Sequence, residues 1–146
     1  MIVRVPWQGG GSAHWTGPVL VSVTDFEMHG RREQSAAIRD GLRLRRSWHR
    51  MPGAVGLWLW WLAPGLRSGS VSIWKSADDL RAFVRWAPHV EIMRRNRDTG
   101  RLRDSACWEL EAFDSAGVWS DASRMIRMCE FKDSLSGGGA DDADAG

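Results

Sequence analysis

The chain has 146 residues, of which 43% are hydrophobic and 26% charged, a balance typical of one soluble domain with tails. Its formal net charge of +2 is too small to indicate nucleic-acid binding, and no apolar stretch reaches the roughly 18 residues of a membrane span. The N-terminus lacks the basic and apolar regions of a signal peptide, so we expect a cytoplasmic protein without nucleic-acid or membrane partners.

Both ends of the sequence have the composition of tails. Gly9–Ser12 reads GGGS, which is typical of a flexible linker, and the last residues are small and acidic. We therefore expect a flexible N-terminal segment over 1–16, a folded domain over 17–113, and a C-terminal extension over 114–146 that is disordered at its end.

The folded domain begins with a strand and a long helix. Val19, Val21 and Val23 recur with the period of two that is expected of a strand. From Arg31 to about Met51, apolar residues recur at helical spacing, and the sequence Met-Pro-Gly then ends the pattern. The second element is therefore predicted to be an amphipathic helix.

Two more strands follow, joined by the short sequence PGLRSG. AVGLWLWWLA places Trp58 and Trp60 on one face and is apolar on the other face as well, which favours a central strand. SVSIW places Ser70, Ser72 and Trp74 on one face. So short a connection predicts an antiparallel hairpin.

Two helices and a last strand complete the pattern. Ser76 is a typical N-cap, and Pro88 ends the first of these helices and begins the second, because proline is favoured in a first turn. The second helix carries four residues on its inward side: His89, Ile92, Met93 and Asn96. The last strand, SACWELEAF, contains Cys107 and Trp108.

The order strand, helix, strand, strand, helix, strand is that of the ferredoxin-like βαββαβ fold, which belongs to the α+β class. In this fold both helices cover one face of an antiparallel sheet. The opposite face is left uncovered and has Trp and other large residues available. We therefore predict that two sheets meet face to face in a homodimer, as in a dimeric α/β barrel.

Ten Trp and no Tyr make the aromatic composition unusual. Trp side chains fill a core or line a pocket for a flat ligand, and the first use is the commoner one. Four of them lie on predicted strands and can reach one substrate pocket or form the dimer core: Trp58, Trp60, Trp74 and Trp108. Ser22, Ser72 and Asn96 are polar candidates for ligand contacts, although the two serines could instead bond each other across the sheet.

His89 has two interpretations. In the first, its ring donates a hydrogen bond to a carbonyl that Pro88 leaves free. In the second, it faces the pocket as a general base or a haem ligand, since neutral imidazole serves as both. The sequence has no His-x-x-x-His, no Cys-x-x-Cys and no clustered carboxylates, so we predict no zinc or di-iron site.

The stretch from Ser70 to Gly100, with the strand SACWELE, resembles the dimeric α/β-barrel superfamily of small monooxygenase-like proteins. Within it, the likeness is to groups related to spheroidene monooxygenase and to domains of unknown function. The matching residues are Ser70, Ser72, Trp74, Ser76, Leu80, Phe83, His89, Met93 and Arg94. The resemblance implies a ferredoxin-like fold and several chemistries. Some members oxidise polycyclic aromatics without a cofactor, and others bind haem through a His on a helix.

Three hypotheses follow. The first is a monooxygenase-like enzyme that acts without a cofactor on an apolar aromatic or polyene metabolite, with His89 as the catalytic residue. The second is a haem-binding protein with His89 as axial ligand. The third is a non-catalytic ligand-binding or dimerisation module, in which the Trp residues only form an interface.

Overall fold

The computed structural model describes residues 1–136, which form two compact units, Met1–Asp114 and a second that begins at Ser115. The strands are β1 (Ile2–Arg4), β2 (Gln8–Gly9), β3 (Val19–Met28), β4 (Ala54–Leu62), β5 (Arg67–Trp74) and β6 (Gly100–Leu110). The α-helices are α1 (Arg31–Arg46), α2 (Ala77–Arg85), α3 (Ala87–Asn96) and α4 (Ser115–Ser136). Over residues 1–136, no helix is both long enough and apolar enough to cross a membrane. The predicted disordered end falls on residues 137–146, outside the described residues.

All the strand pairings are antiparallel, and the strand order is β1-β4-β5-β3-β6, with β2 also paired to β4. Strands β3 to β6, with α1 after β3 and α2 and α3 before β6, reproduce the βαββαβ order. The predicted α+β ferredoxin-like fold is therefore confirmed.

The N-terminal segment differs from the expected flexible linker. Strands β1 and β2 both pair with β4, with Val3 opposite Trp61 and Gly9 opposite Gly56. A Cβ atom on Gly10 would overlap the backbone of Ala54, so here glycine permits close packing of two backbones. Strands β1 and β2 cover the outer edge of β4. This makes β4 an internal strand, as its two apolar faces predict.

The helices begin and end at local signals. Helix α1 ends at Arg46, earlier than predicted, and a short 3₁₀ helix over Trp48–Arg50 completes the apolar stripe. Ser76 caps α2 by accepting a hydrogen bond from the Asp79 backbone N–H at 3.2 Å. Trp86 is extended, with ψ of 131°, and separates α2 from α3.

The sheet face opposite α1, α2 and α3 carries side chains that are buried in the single chain, and the N-terminal segment covers part of it. Val21, Val71 and Ile73 of this face have no exposed area in a single chain. The N-terminal segment also brings Trp7 over β4, where its ring stacks on Phe113 at 5.1 Å. These residues are therefore not an open apolar surface, and the homodimer remains a prediction.

An ion pair between Asp25 and Arg67 is buried on that same face. Asp25 is 3% exposed and Arg67 5% exposed, and the Arg67 Nε–H donates to Asp25 Oδ1 at 3.2 Å. The backbone carbonyl of Arg67 accepts a hydrogen bond from Gln34 Nε2 at 3.2 Å, which joins β5 to α1. Because both side chains are buried, solvent does not screen the attraction between the two charges.

Candidate functional site

A cavity of about 420 Å³ lies between the sheet and the helices α1, α2 and α3. This volume falls in the usual range of small-molecule sites. No Asp, Glu, Lys or Arg is among the described residues that line the cavity. Because an ionised ligand would lack a countercharge there, the cavity suits an uncharged one.

The strand register builds the floor of the cavity from small polar side chains. Ser22 pairs with Ser72 on one side and with Cys107 on the other. In the next row, Thr24 lies between Ser70 and Ser105. The hydroxyl groups of Thr24 and Ser70 are 2.9 Å apart. We call these two rows the hydroxyl floor.

The α1 wall of the cavity is apolar and only partly buried. The two buried residues of α1 are polar, Gln34 and Asp40, whereas Ala37, Ile38 and Leu42 line the cavity and keep intermediate exposure. An apolar ligand would remove these side chains from water. Each 100 Å² of apolar surface so covered contributes about 2.5 kcal/mol.

The cavity is open to solvent along β6 and the α2–α3 pair. Leu102 of β6 is 52% exposed, Val84 49% and Met93 40%, and all three line the cavity. A ligand can therefore reach the hydroxyl floor without unfolding of the sheet.

His89 lies at the joint between α2 and α3, and its ring has two different nitrogens. Nδ1 is 3.1 Å from the carbonyl oxygen of Val84. Val84 precedes Pro88 by four residues, so its carbonyl is the one that loses its helical donor because proline has no N–H. A carbonyl oxygen only accepts, and therefore Nδ1 carries the proton and Nε2 keeps its lone pair.

The surroundings of His89 favour the neutral ring. Burial lowers the pKa of His89 below its ordinary value of 6.5, and the hydrogen bond to Val84 opposes this only in part. The Phe83 ring lies 4.5 Å from the imidazole and contributes to this apolar environment. At pH 7 the ring is thus mainly neutral, and Nε2 is the proton acceptor of a residue that lines the cavity.

The lowered pKa of His89 predicts a pH-dependent part of the stability. Unfolded chains bind a proton at this residue more readily than the folded protein, so the contribution is complete above about pH 6.5 and is lost as pH falls below it. We expect His89→Gln to lose less stability than wild type on acidification over that window. Urea unfolding of both proteins between pH 5 and pH 8 measures the difference, and parallel curves would contradict it.

The structure brings together some of the predicted site residues. The five that border the cavity are His89, Ser22, Ser72, Asn96 and Trp60. Strand alternation turns the indole of Trp60 to the opposite face, where it lies beside Gly69. Asn96 Nδ2 donates to the Ile92 carbonyl at 2.9 Å and to Asp40 Oδ2 at 3.4 Å, so that amide group is already engaged within the protein.

Three predicted tryptophans are not among the residues that line the cavity. Trp74 is fully buried behind it, packed edge-on against Trp48 at 5.4 Å, and its Nε1–H donates to the Ser72 hydroxyl at 2.9 Å. Trp58 contacts Trp7 on the opposite face. Trp108 follows Cys107 in the strand and is turned to that face as well. The binding roles given to these residues remain predictions.

Sequence reasoning missed several aromatic and hydroxyl groups of the site. Trp48, Trp61 and Phe26 line the cavity, as do Thr24 and Ser105. Alternation along β4 places Trp61 with Leu57 and Leu59, so this set could have been proposed as the alternative face. Trp48 follows the apolar stripe of α1, which indicated a buried position but no cavity.

The cavity offers a haem group only one of the contacts it needs. His89 Nε2 could ligate iron, but the described lining has no Lys or Arg to pair with the two propionates. Residues 1–128, whose side chains the structure describes, contain no cluster of three His, Cys, Asp or Glu suited to a metal ion. The described lining of the cavity therefore does not fit haem.

Similarity to known proteins is found at the level of structure. No protein-family profile and no curated protein matches the sequence. A proposed antibiotic biosynthesis monooxygenase from Nitrosomonas europaea matches with a TM-score of 0.55 and 13% identity, covering 69% of this chain and 96% of that chain. A variant of SnoaB, a cofactor-independent oxygenase from Streptomyces nogalater, matches with a TM-score of 0.50 and 16% identity, covering 66% and 95%.

A dimeric protein of unknown function with a ferredoxin-like fold, from Bacteroides fragilis, matches with a TM-score of 0.51 and 13% identity, covering 64% of this chain and 95% of that chain. At such identities, likeness shows a shared fold and no more. The chain therefore has the ferredoxin-like fold of these monooxygenase-like proteins, as the resemblance implied.

Proposed function

We propose that this chain is a monooxygenase-like enzyme that acts, without a cofactor, on an uncharged aromatic or polyene compound bound in the cavity. The observation that carries the proposal is that His89, whose Nδ1 is bonded and whose Nε2 keeps its lone pair, lines a cavity with no charged side chain among its described residues. The fold shared with SnoaB, a cofactor-independent oxygenase, supports the reaction type.

His89 is suited to begin such a reaction. Its Nε2 atom removes a proton from an activated C–H group of the ligand and leaves a carbanion that the conjugated system delocalises. Dioxygen accepts the electrons and forms a C–O bond, and the resulting peroxide is protonated. Loss of one water from that hydroperoxide gives a ketone, so a CH₂ group and O₂ become C=O and H₂O. No external reductant is needed.

The hydroxyl floor can stabilise the negative charge of the carbanion where delocalisation places that charge on an oxygen atom of the ligand. Thr24 and Ser70 share one hydrogen bond between their hydroxyls, and Thr24 Oγ1 also accepts from the Ser70 backbone N–H at 3.2 Å. One of the two hydroxyl protons therefore remains available to a ligand. A preorganised donor aimed at a developing oxyanion lowers the barrier for its formation.

Gly41 of α1 provides a test of where the ligand binds. A Cβ atom at this position would lie 3.4 Å from Leu59 Cδ1 across the cavity, so alanine fits and a large side chain must occupy ligand space. We expect Gly41→Phe to weaken binding of an anthrone or a naphthol about tenfold or more, by quenching of Trp fluorescence. The matched variant Gly41→Ala should bind as wild type does, with helix stability raised by roughly 0.5–1 kcal/mol.

Unchanged affinity in a folded Gly41→Phe protein would place the ligand elsewhere. The other two hypotheses predict different results, in the absorption spectrum and in oxygen uptake. A Soret band in the purified protein that disappears in His89→Ala would support haem ligation. Binding at the cavity without any oxygen uptake would support a non-catalytic module.

A further inference from the structure

Asp40 is a charged residue that α1 buries beside the cavity and that the proposed reaction does not use. It is 8% exposed, and its carboxylate reaches across to the last turn of α3. Arg95 Nη2 donates to Asp40 Oδ1 at 3.3 Å, and Asn96 Nδ2 donates to Oδ2 at 3.4 Å. A buried carboxylate is retained at a cost unless such partners satisfy it.

Helix α3 depends on few contacts for its position. No residue of α3 is buried, and the chain enters it through the extended Trp86. At its first turn, His89 bonds back to Val84, and at its last turn Asn96 and Arg95 bond to Asp40. The helix is therefore attached at both ends by polar contacts, with its apolar side facing the open cavity.

We propose that Asp40 is a positioning residue for His89: by fixing the last turn of α3 to α1, it holds the His89 ring over the cavity. The catalytic importance of this positioning rests on the proposed function, whereas the contacts of Asp40 with α3 do not depend on it. His89, Ile92, Met93 and Asn96 share one side of α3, and all four line the cavity. His89 and Asn96 are separated by about 10 Å of regular helix, which transmits a fixed position at one end to the other.

The titration of His89 reports this positioning without a substrate. If the contact between α3 and α1 is lost, the ring gains solvent and its titration midpoint rises towards 6.5. Loss of the Asp40 charge by itself acts in the opposite direction, because a nearby carboxylate favours the protonated ring. The two effects on the pKa of His89 therefore differ in sign, and no residue of the described cavity lining carries a charge that would add a third effect.

The experiment follows the His89 Cε1–H resonance by NMR against pH in four proteins. We expect a higher midpoint in Asp40→Ala and, to a smaller extent, in Asn96→Ala, which removes one of the two hydrogen bonds between α3 and Asp40 without any change of charge. Hydrogen exchange of the α3 amides should accelerate about tenfold or more in both. Glu91→Gln removes an exposed carboxylate of α3, paired with Arg94 at 3.8 Å, and should leave the midpoint unchanged or slightly lower.

The proposal is overturned if both variants keep the wild-type midpoint, or lower it, while their unfolding midpoints in urea fall, because Asp40 would then only stabilise the fold. Should Asp40→Ala fail to fold, Asn96→Ala decides alone. A raised midpoint in the variants would support the positioning of His89 by Asp40 even if the wild-type protein consumed no oxygen. The absence of oxygen uptake would contradict the proposed enzymatic function alone.

Discussion

Replacing His89 with Gln should lower kcat/KM for oxygenation of an aromatic ligand by about 10²–10⁴-fold, the usual contribution of a general base. The reason is that the two ring nitrogens have different roles: Nδ1 donates to the Val84 carbonyl, and Nε2 is the proton acceptor. A Gln amide N–H can still donate to that carbonyl, so the joint between α2 and α3 keeps its hydrogen bond. We therefore expect kcat to fall much more than KM rises, measured as oxygen uptake with an anthrone.

A matched control is His49, which makes the same kind of contact outside the cavity. Its Nδ1 lies 3.0 Å from the Arg46 carbonyl at the exposed end of α1, and it is not among the cavity residues. His49→Gln should retain wild-type kcat/KM. In wild type, kcat/KM should rise with pH through the lowered pKa of His89 and be level above about 6.5, because the base must be unprotonated. Equal activity of His89→Gln and wild type would exclude His89 as the base.

Removing the buried carboxylate of Asp25 should lower the free energy of unfolding by about 3–5 kcal/mol, the usual cost of breaking a buried ion pair from one side. Asp25→Ala removes a carboxylate that the guanidinium of Arg67 contacts, and Arg67 is only 5% exposed. Urea unfolding followed by Trp fluorescence measures the loss as a shift of the midpoint at constant slope.

The exposed pair of Asp78 and Arg81 provides the comparison for Asp25. The side chain of Asp78 is 90% exposed, so Asp78→Ala should cost no more than about 1 kcal/mol. If Asp25→Ala lowers the free energy of unfolding no more than Asp78→Ala does, the charge of Arg67 is satisfied without the Asp25 carboxylate. The ion pair would then contribute little to the stability of the sheet.

The joint at His89 could be derived from the sequence because it depends on local chain geometry. Proline at position 88 removes the donor for the carbonyl four residues earlier, and the adjacent imidazole reaches the same carbonyl. The sequence left two interpretations of the ring open, and the structure shows why they are compatible. One nitrogen is bonded at the helix break, and the other remains available on a cavity-lining residue.

The tryptophans show where the pattern stops being informative. A period of two correctly separates Trp58 and Trp60 from Leu57, Leu59 and Trp61. It does not indicate which of the two apolar faces lies under the helices. We assigned Trp58 and Trp60 to the pocket wall; Trp60 and Trp61 both border the cavity, but the indole of Trp60 lies beside Gly69 and that of Trp58 contacts Trp7, on the other face.

By itself, the sequence determined the order of the strands and helices, their ferredoxin-like arrangement, and the break that separates α2 from α3, since each follows from local periodicity, capping and proline chemistry. Tertiary structure alone decided the covered face of the sheet, the pairing of the N-terminal strands with β4, and the contact of Asp40 with α3. Those features depend on which distant residues meet. Alternation along a strand or a helix is the same for either face, so only packing of the whole chain selects one.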